Sequence, residues 1–173
     1  DLTGNQTDGS GGAILNWRAL LNASNCTFTD NEVTSADYWS DGGGAIQMRL
    51  DDSTNSAGQF NGLVLTDCTF EGNKVSLSTD PDAPPSISVT EGGAIIILDD
   101  DDLDPVPEYD INGCVFLDNV ADSGGAIFIR YPDTVDFAGS GNLACGNQPD
   151  HFNATPPNLF FDCLADDCTD CTD

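Results

Sequence analysis

The chain has 173 residues, of which 30 are Asp or Glu and only 4 are Lys or Arg, so its formal net charge is −26. Such a surface repels nucleic acid and anionic membranes, which excludes both as partners. A hydrophobic fraction of 39% nevertheless indicates a folded chain rather than a disordered one. Because no apolar run approaches ~18 residues, we expect no membrane insertion.

The same composition indicates a compartment outside the cell. A small protein with so many carboxylates is best tolerated in a medium rich in cations, which screen the repulsion. Seven cysteines in an acidic chain fit an oxidising environment. The chain lacks an initiator Met and a charged leader, as expected for a processed mature protein or a segment of a longer one. We therefore predict an extracellular or cell-surface protein.

A flank at residues 1–10 precedes the first of four similar phrases. Each phrase reads Gly-Gly-Ala-Ile and runs into a short segment of period two, which is the signature of a β-strand. Paired glycines suit a sharp corner, because glycine takes positive φ and permits close backbone approach. The four copies are Gly11–Ile14, Gly43–Ile46, Gly92–Ile95 and Gly124–Ile127.

A second phrase alternates with the first. It contains a Cys, a Phe two residues later and an Asn three residues after the Phe, again with period two. The closing Asn tolerates left-handed conformations and can hydrogen-bond up a column of equivalent residues. Full copies lie at Asn25–Asn31, Asp67–Asn73 and Gly113–Asn119, and a fainter copy at Ala144–Asn147 keeps the Cys but loses the Phe.

The alternation of the two phrases predicts the architecture. Internal repeats of this length indicate stacked units that share one core, and like residues of successive coils then lie at the ~4.8 Å spacing of strands. We predict an all-β fold, a single-stranded parallel β-helix (solenoid) of about four coils over residues 11–147. Long acidic loops such as Ser76–Glu91 extend from it, and residues 148–173 form a C-terminal cap or inter-subunit tail.

Together the phrases resemble the repeats of the chlamydial polymorphic outer membrane proteins (Pmp), whose hallmarks are Gly-Gly-Ala-Ile and Phe-x-x-Asn. The resemblance covers most of the chain from Gly11 to about Asn147. It implies a right-handed parallel β-helix exposed on a surface, in a family associated with adhesion. The Phe-x-x-Asn copies are Phe28–Asn31, Phe70–Asn73 and Phe116–Asn119.

Some β-helix proteins cleave pectin, so we weighed a catalytic site. The pairs Asp51–Asp52 and Asp101–Asp102 lack the Gly-His-Gly and Arg-Ile-Lys phrases of polygalacturonase-like enzymes. A lyase needs a basic residue beside calcium, yet Arg49 and Arg130 occupy equivalent repeat positions, which indicates a column on one face. His151 stands alone in a loop. We predict that the protein is not an enzyme.

An acidic run follows the third Gly-Gly strand. It could supply the roughly six to eight oxygens that calcium takes, although it lacks the spacing of an EF-hand loop, and a solvated acidic loop is the alternative. No cofactor is required by the sequence, and calcium is the cation we consider. The candidate ligands are Asp99, Asp100, Asp101, Asp102 and Asp104.

Cysteines recur once per repeat. Neighbours in a column at ~4.8 Å fall within the roughly 4.4–6.8 Å Cα window of a disulfide, which predicts Cys26 with Cys68 and Cys114 with Cys145. As an alternative they are small apolar core residues. An odd total leaves one tail thiol free or paired between chains. The tail cysteines are Cys163, Cys168 and Cys171.

Four Asn-x-Ser/Thr sequons could carry N-linked glycans if the source glycosylates proteins outside the cell. If Cys26 and Phe28 point inward, Asn25 points outward, which makes it the first candidate. The others are Asn22 on the same segment and Asn5 and Asn153 in the flanks.

The outward positions of the Gly-Gly strands form a half-apolar stripe. With the Ile column inward, the stripe is either covered by loops or is a contact surface for a neighbouring chain or a receptor. Its residues are Leu15, Gln47, Ile96 and Phe128, beside Trp17, Arg49, Leu98 and Arg130.

The ends of a parallel β-helix present unpaired strand edges, which recruit other chains. The segment Leu159, Phe160 and Phe161 could cap the last coil or form a junction to the next subunit. We therefore predict an extracellular structural or adhesive protein that self-associates head to tail into a filament, with a surface receptor or polysaccharide as further partners. The alternative is a β-helix that binds or cleaves carbohydrate.

Overall fold

A computed structural model describes residues 1–35, 42–50, 62–77, 90–99, 108–130, 136–149, 152–153 and 161–165. In these residues all regular secondary structure is β, as predicted. The chain runs from β1 (Leu2–Thr3) and β2 (Gln6–Thr7) into the repeats and ends with β17 (Phe152–Asn153) and β18 (Phe161–Ala165). The strands between them are β3 (Ile14–Trp17), β4 (Leu20–Ser24), β5 (Thr27–Thr29), β6 (Glu32–Ser35), β7 (Ile46–Leu50), β8 (Gly62–Thr66), β9 (Thr69–Glu71), β10 (Lys74–Leu77), β11 (Ile95–Asp99), β12 (Glu108–Asn112), β13 (Val115–Leu117), β14 (Ile127–Ile129), β15 (Asp136–Ala138) and β16 (Asn142–Cys145).

These strands form four sheets in which all pairings are parallel. Sheet A has the order β1-β5-β9-β13-β16-β18, sheet B β10-β6-β2, sheet C β17-β14-β11-β7-β3 and sheet D β15-β12-β8-β4. Parallel bridges from Lys74 to Val120 and from Val120 to Gln148 continue sheet B. Each repeat passes once through each sheet, so the strands stack as in a parallel β-helix. Residues 1–10 and the segment after 148 also contribute strands, so the stack extends beyond the repeats at both ends.

Register follows the repeated phrases. In sheet C, Ile46 lies opposite both Ile14 and Ile95, and Ile95 in turn lies opposite Ile127. Ile46, Ile95 and Ile127 are fully buried, so the Ile column points inward as predicted. In sheet A, Phe70 stacks between Phe28 and Phe116, with ring centroids 4.7 and 4.9 Å apart and planes within 5° of parallel. Like side chains therefore pack directly over one another.

The two glycines of each phrase have different roles. The first is left-handed, as at Gly43 and Gly92, with φ of 71° and 66°, where an L side chain is strained. The second lies under the next repeat, because a Cβ on Gly93 would meet the carbonyl of Gly125 and come within 2.7 Å of the Val120 nitrogen. One glycine turns the corner and the other allows the strands to stack.

An asparagine ladder, buried from Asn31 to Asn147, runs along the stack. Each amide nitrogen donates to the Oδ1 of the next asparagine, from Asn5 to Asn31 at 2.8 Å, to Asn73 at 2.9 Å, to Asn119 at 2.9 Å and to Asn147 at 2.8 Å. The same Oδ1 atoms accept backbone N–H groups of the preceding rung. The predicted column is thus present, and Asn5 extends it by one rung that carries no Phe phrase in the sequence.

The residue before each rung is left-handed, and Asp alternates with Gly there. Asp30 and Asp118 have φ of 53° and 52°, while Gly72 and Gly146 have 63° and 65°. A Cβ on Gly72 would lie 2.5 Å from the Oδ1 of Asp30, and Gly146 stands in the same relation to Asp118. The aspartate side chain therefore occupies the space that the following glycine leaves open.

Candidate functional site

The outer face of sheet C is exposed in its first strand and buried further along. Leu15 and Trp17 on β3 are 50% and 55% exposed. In β11 and β14, by contrast, Ile96, Leu98 and Phe128 form a small buried cluster. The predicted half-apolar stripe is therefore accessible at one end of the stack, where Trp17 is its largest exposed side chain.

Two of the four cations of the chain surround this tryptophan. The guanidinium carbons of Arg18 and Arg49 lie 5.7 and 5.4 Å from the Trp17 ring centroid, within the range of cation–π attraction. Arg49 reaches the ring because it is the register partner of Trp17 on β7. The arrangement places positive charge on an exposed aromatic surface of a protein whose net charge is −26.

The other two cations are in ion pairs. Lys74 lies 3.0 Å from Glu32, and Arg130 lies 2.9 Å from Glu91. Hydrogen bonds from Ser76 and Lys74 lower the pKa of the Glu32 carboxyl. A depressed carboxyl pKa contributes stability above the ordinary pKa, and this contribution is lost as the pH falls. Arg49, unlike these two, has no carboxylate of the described residues within salt-bridge distance.

A buried polar side chain adjoins the exposed patch. Gln47 lies on β7 between Leu15 and Ile96 in register, and its side chain is fully buried. Within the part of the chain that the structure describes, neither its Oε1 nor its Nε2 has a hydrogen-bond partner. Burial of an unsatisfied polar group costs roughly 1–3 kcal/mol, so packing alone does not account for a glutamine here.

The first end of the stack presents one edge strand per sheet, β1, β2, β3 and β4, of which β3 and β4 are the longest. In the described structure β3 pairs only with β7, and β4 pairs only with β8. Ile14 and Leu21 on these strands are half-buried, whereas their register partners Ile46 and Leu63 are fully buried. The apolar core therefore comes close to the surface at the edges of sheets C and D.

The predicted cysteine bridges are wrong. Cys26, Cys68 and Cys114 are free thiols, which excludes both Cys26–Cys68 and Cys114–Cys145, and Cys145 is itself disulfide-bonded. The Sγ atoms of Cys26, Cys68 and Cys114 each contact the carbonyl two residues earlier, at 3.4–3.5 Å. Cys26 and Cys68 are stacked in one rotamer, so their sulfurs lie about one strand spacing (~4.8 Å) apart, far beyond the ~2.05 Å of a disulfide. Cys145 is not in this column, because it lies opposite Leu117 rather than Cys114.

These thiols should differ in reactivity. Burial raises the pKa of Cys68, and it raises the pKa of Cys114 to about 12, so both remain protonated at pH 8. Cys26 in the first repeat is only half-buried. Treatment of the native protein with iodoacetamide at pH 8, followed by peptide mapping, is expected to label Cys26 well before Cys68 and Cys114, with all three labelled in denaturant. Equal rates for Cys26 and Cys114 in the native protein would contradict this.

The other candidate residues fall partly outside the described ranges. Asp99 ends β11, whereas Asp100, Asp101, Asp102 and Asp104 lie beyond the described residues, as does His151. Within the described ranges, no group of three His, Cys, Asp or Glu side chains could hold a metal ion. In the same ranges no helix is long and apolar enough to cross a membrane. The calcium prediction therefore stays a prediction.

The sequons occupy different settings. Asn22 and Asn25 are exposed, and Asn25 is left-handed with φ of 51°. Asn5 is exposed too, but its amide nitrogen is part of the ladder. Asn153 lies in β17, which pairs with β14. Asn22 and Asn25 therefore combine exposure with freedom from the ladder, and glycosylation stays a prediction for all four.

Only some of the tail residues predicted to take part in assembly or in disulfides belong to the described residues. Phe161 begins β18, which pairs in parallel with β16 and so adds a strand to sheet A. Leu159, Phe160, Cys168 and Cys171 lie outside the described residues, and Cys163 is described as a residue of β18. The backbone from Phe161 to Ala165 therefore continues the stack.

The in-register parallel sheets and their internal columns define a repeat protein of the parallel β-helix type. Residues 113–130 match the family model of the Chlamydia polymorphic membrane protein repeat. This match spans the third Cys phrase and the fourth Gly-Gly phrase, and it supports the Pmp-type resemblance for that one repeat. The searches of curated proteins and of solved structures found no match.

Proposed function

We propose that this chain is an extracellular or cell-surface structural and adhesive module that associates end to end into a filament. In this proposal the repeats form a right-handed parallel β-helix of about four coils, in keeping with the strong right-handed preference of parallel crossover connections. A surface location is supported by the Chlamydia polymorphic membrane protein repeat at residues 113–130 and by the net charge of −26.

The observation that carries end-to-end association is the open edge formed by β3 and β4. Both strands have a pairing partner on one side only in the described structure. Ile14 and Leu21 bring half-buried apolar surface to the same edge. A strand with free backbone groups beside apolar side chains is a template for another strand. Because the two ends of the stack differ, such a contact is heterologous and propagates as a fibre.

A non-catalytic role is part of the proposal. Among the described residues, the perturbed titratable groups are the buried thiols Cys68 and Cys114 and the ion-paired Glu32. Shifted pairs of carboxylates, by which general acid–base sites are recognised, are not among them. The alternative, a β-helix that cleaves acidic polysaccharide, predicts the release of reducing ends or unsaturated sugars, which a direct assay detects.

The edge can be blocked at one backbone group. The Asn25 N–H donates to the Thr66 carbonyl at 2.9 Å, and N–H directions alternate along a strand, so the Asn22 N–H faces the open edge. Asn22→Pro removes that donor while leaving the bonds to β8. We expect unglycosylated wild-type protein at micromolar concentration in calcium-containing buffer to form fibres by electron microscopy and to sediment as polymers, and Asn22→Pro to remain monomeric.

The matched control is Asn22→Ala, which removes the same exposed side chain but keeps the N–H, and it should form fibres like the wild type. Circular dichroism must show the same β-structure in all three proteins. A sharp monomer boundary for the wild type, with no fibres in the microscope, would refute the proposed assembly. If Asn22→Pro polymerised as readily as the wild type, the junction between subunits would not involve the edge of β4.

A further inference from the structure

We propose that the patch formed by Leu15, Trp17 and Arg49 binds an acidic sugar chain, one that carries carboxylate or sulfate groups. The inference is independent of end-to-end association, because it concerns the outer face of sheet C rather than the strand edges. The accessible end of the half-apolar stripe is then a binding site for acidic sugars.

The patch combines the two surfaces that such a ligand requires. Sugar rings present C–H faces that pack on aromatic and aliphatic side chains, and Trp17 and Leu15 are both at least half exposed. A guanidinium offers a planar fork of donors that matches a carboxylate or sulfate. Arg49 places this group 5.4 Å from the Trp17 ring centroid, so one sugar residue can contact both.

Charge complementarity favours an acidic ligand over a neutral one. Lys74 and Arg130 are paired with glutamates, whereas Arg49 has no carboxylate partner among the described residues. The net charge of −26 repels a long polyanion such as nucleic acid, but charges are screened beyond about 8 Å at physiological ionic strength, so a short acidic sugar chain is held mainly by the guanidinium that it contacts.

A buried glutamine, Gln47, adjoins the patch without being part of its accessible surface. It lies two residues before Arg49 on the same face of β7 and adjoins Leu15 in register. Its buried amide has no hydrogen-bond partner among the described residues. Because this amide is fully buried, a glycan on the surface contacts Leu15, Trp17 and Arg49 and not Gln47.

The test is calorimetric titration of the Asn22→Pro protein, which is expected to be monomeric, with short acidic oligosaccharides. Tetragalacturonate supplies carboxylates, a heparin tetrasaccharide supplies sulfates, and a dextran oligosaccharide is the neutral control. We expect at least one acidic ligand to bind, with affinity that falls as salt rises, and dextran to bind weakly or not at all. The acidic arm that binds identifies the anionic group.

Matched variants locate the site. Trp17→Ala and Arg49→Gln should each weaken binding by about tenfold or more, and Arg49→Lys should be intermediate because it keeps the charge but loses the fork. Leu77→Ala and Lys74→Gln remove an exposed apolar and a cationic side chain elsewhere, and should leave binding unchanged.

Circular dichroism checks the fold of each variant, and Trp17→Phe, which keeps a ring, should retain most of the affinity. Equal binding of dextran, an unchanged affinity in Arg49→Gln, or equal losses in Lys74→Gln would overturn the proposal.

Discussion

Gly93→Ala is expected to lower the free energy of unfolding by about 4 kcal/mol or more, which is at the extreme of single substitutions. An added Cβ would lie 2.7 Å from the nitrogen and 2.9 Å from the carbonyl carbon of Val120, and closer still to the carbonyl oxygen of Gly125. These are backbone atoms held by their own hydrogen bonds, since the Val120 N–H donates to Asn73 at 2.9 Å. The neighbours cannot yield without separating the repeats.

Two further glycines separate steric exclusion from backbone strain. At Gly4, φ is 64° but no atom lies within 4 Å of an added Cβ, so Gly4→Ala should cost only the roughly 1–2 kcal/mol of a left-handed residue. At Gly9 the nearest atom is the Thr7 hydroxyl at 3.5 Å, an ordinary contact, and Gly9→Ala should stay within about 0.5 kcal/mol. Urea unfolding measures all three, and a Gly93→Ala variant within 1 kcal/mol of Gly9→Ala would contradict the close packing, on the ~1 kcal/mol scale of typical substitutions.

Asn73→Ala is expected to cost about 3–5 kcal/mol, the sum of several buried groups left unsatisfied at roughly 1–3 kcal/mol each. The Asn73 amide donates to the carbonyl of Phe28 and to Oδ1 of Asn119, both at 2.9 Å. Its own Oδ1 accepts the backbone N–H and the amide of Asn31, at 3.1 and 2.9 Å. Removing one rung therefore affects three repeats at once.

The control for the ladder is Asn22→Ala, at an exposed asparagine on the outer side of β4. It makes the same chemical change without opening a buried network, so we expect a change within about 0.5 kcal/mol. Thermal and urea unfolding should rank Asn73→Ala far below both Asn22→Ala and the wild type. A similar stability for the two alanine variants would show that the ladder contributes little beyond its neighbours.

The repeated phrases were sufficient to predict sheets A and C and their columns, whereas the strands of sheets B and D lie between the phrases and were not predicted. Because Ile, Phe and Asn recur at matching places, in-register stacking is the arrangement that buries Ile46 over Ile95 and Phe70 over Phe116. Asn5 was missed as a rung, since the sequence around it has no Phe phrase and only pairing of β2 with β6 brings it over Asn31. The spacing of a phrase predicts a column, but the end of a column depends on which partial repeats pair.

The cysteines show the limit of that reasoning. Sequence spacing put Cys26 and Cys68 in one column at a permissible Cα separation, and they are indeed register neighbours. Whether a bridge forms depends on the direction of the Sγ atoms, which contact the carbonyls of Ser24 and Thr66 rather than each other. The residues before these cysteines, Asn25 and Asp67, are left-handed, and the spacing of cysteines in the sequence does not predict the direction of their Sγ atoms.

By itself, the sequence determined that the chain is all-β, that its repeats stack in register and that paired glycines stand at the corners, because a period of two and repeated residue types leave one way to bury the apolar set. Only the tertiary structure decided which outward residues are exposed. Trp17 and Ile96 share a face of sheet C, yet one is 55% exposed and the other fully buried. Exposure is a property of what packs over a face, and contacts between residues far apart in the chain are not encoded in the local alternation.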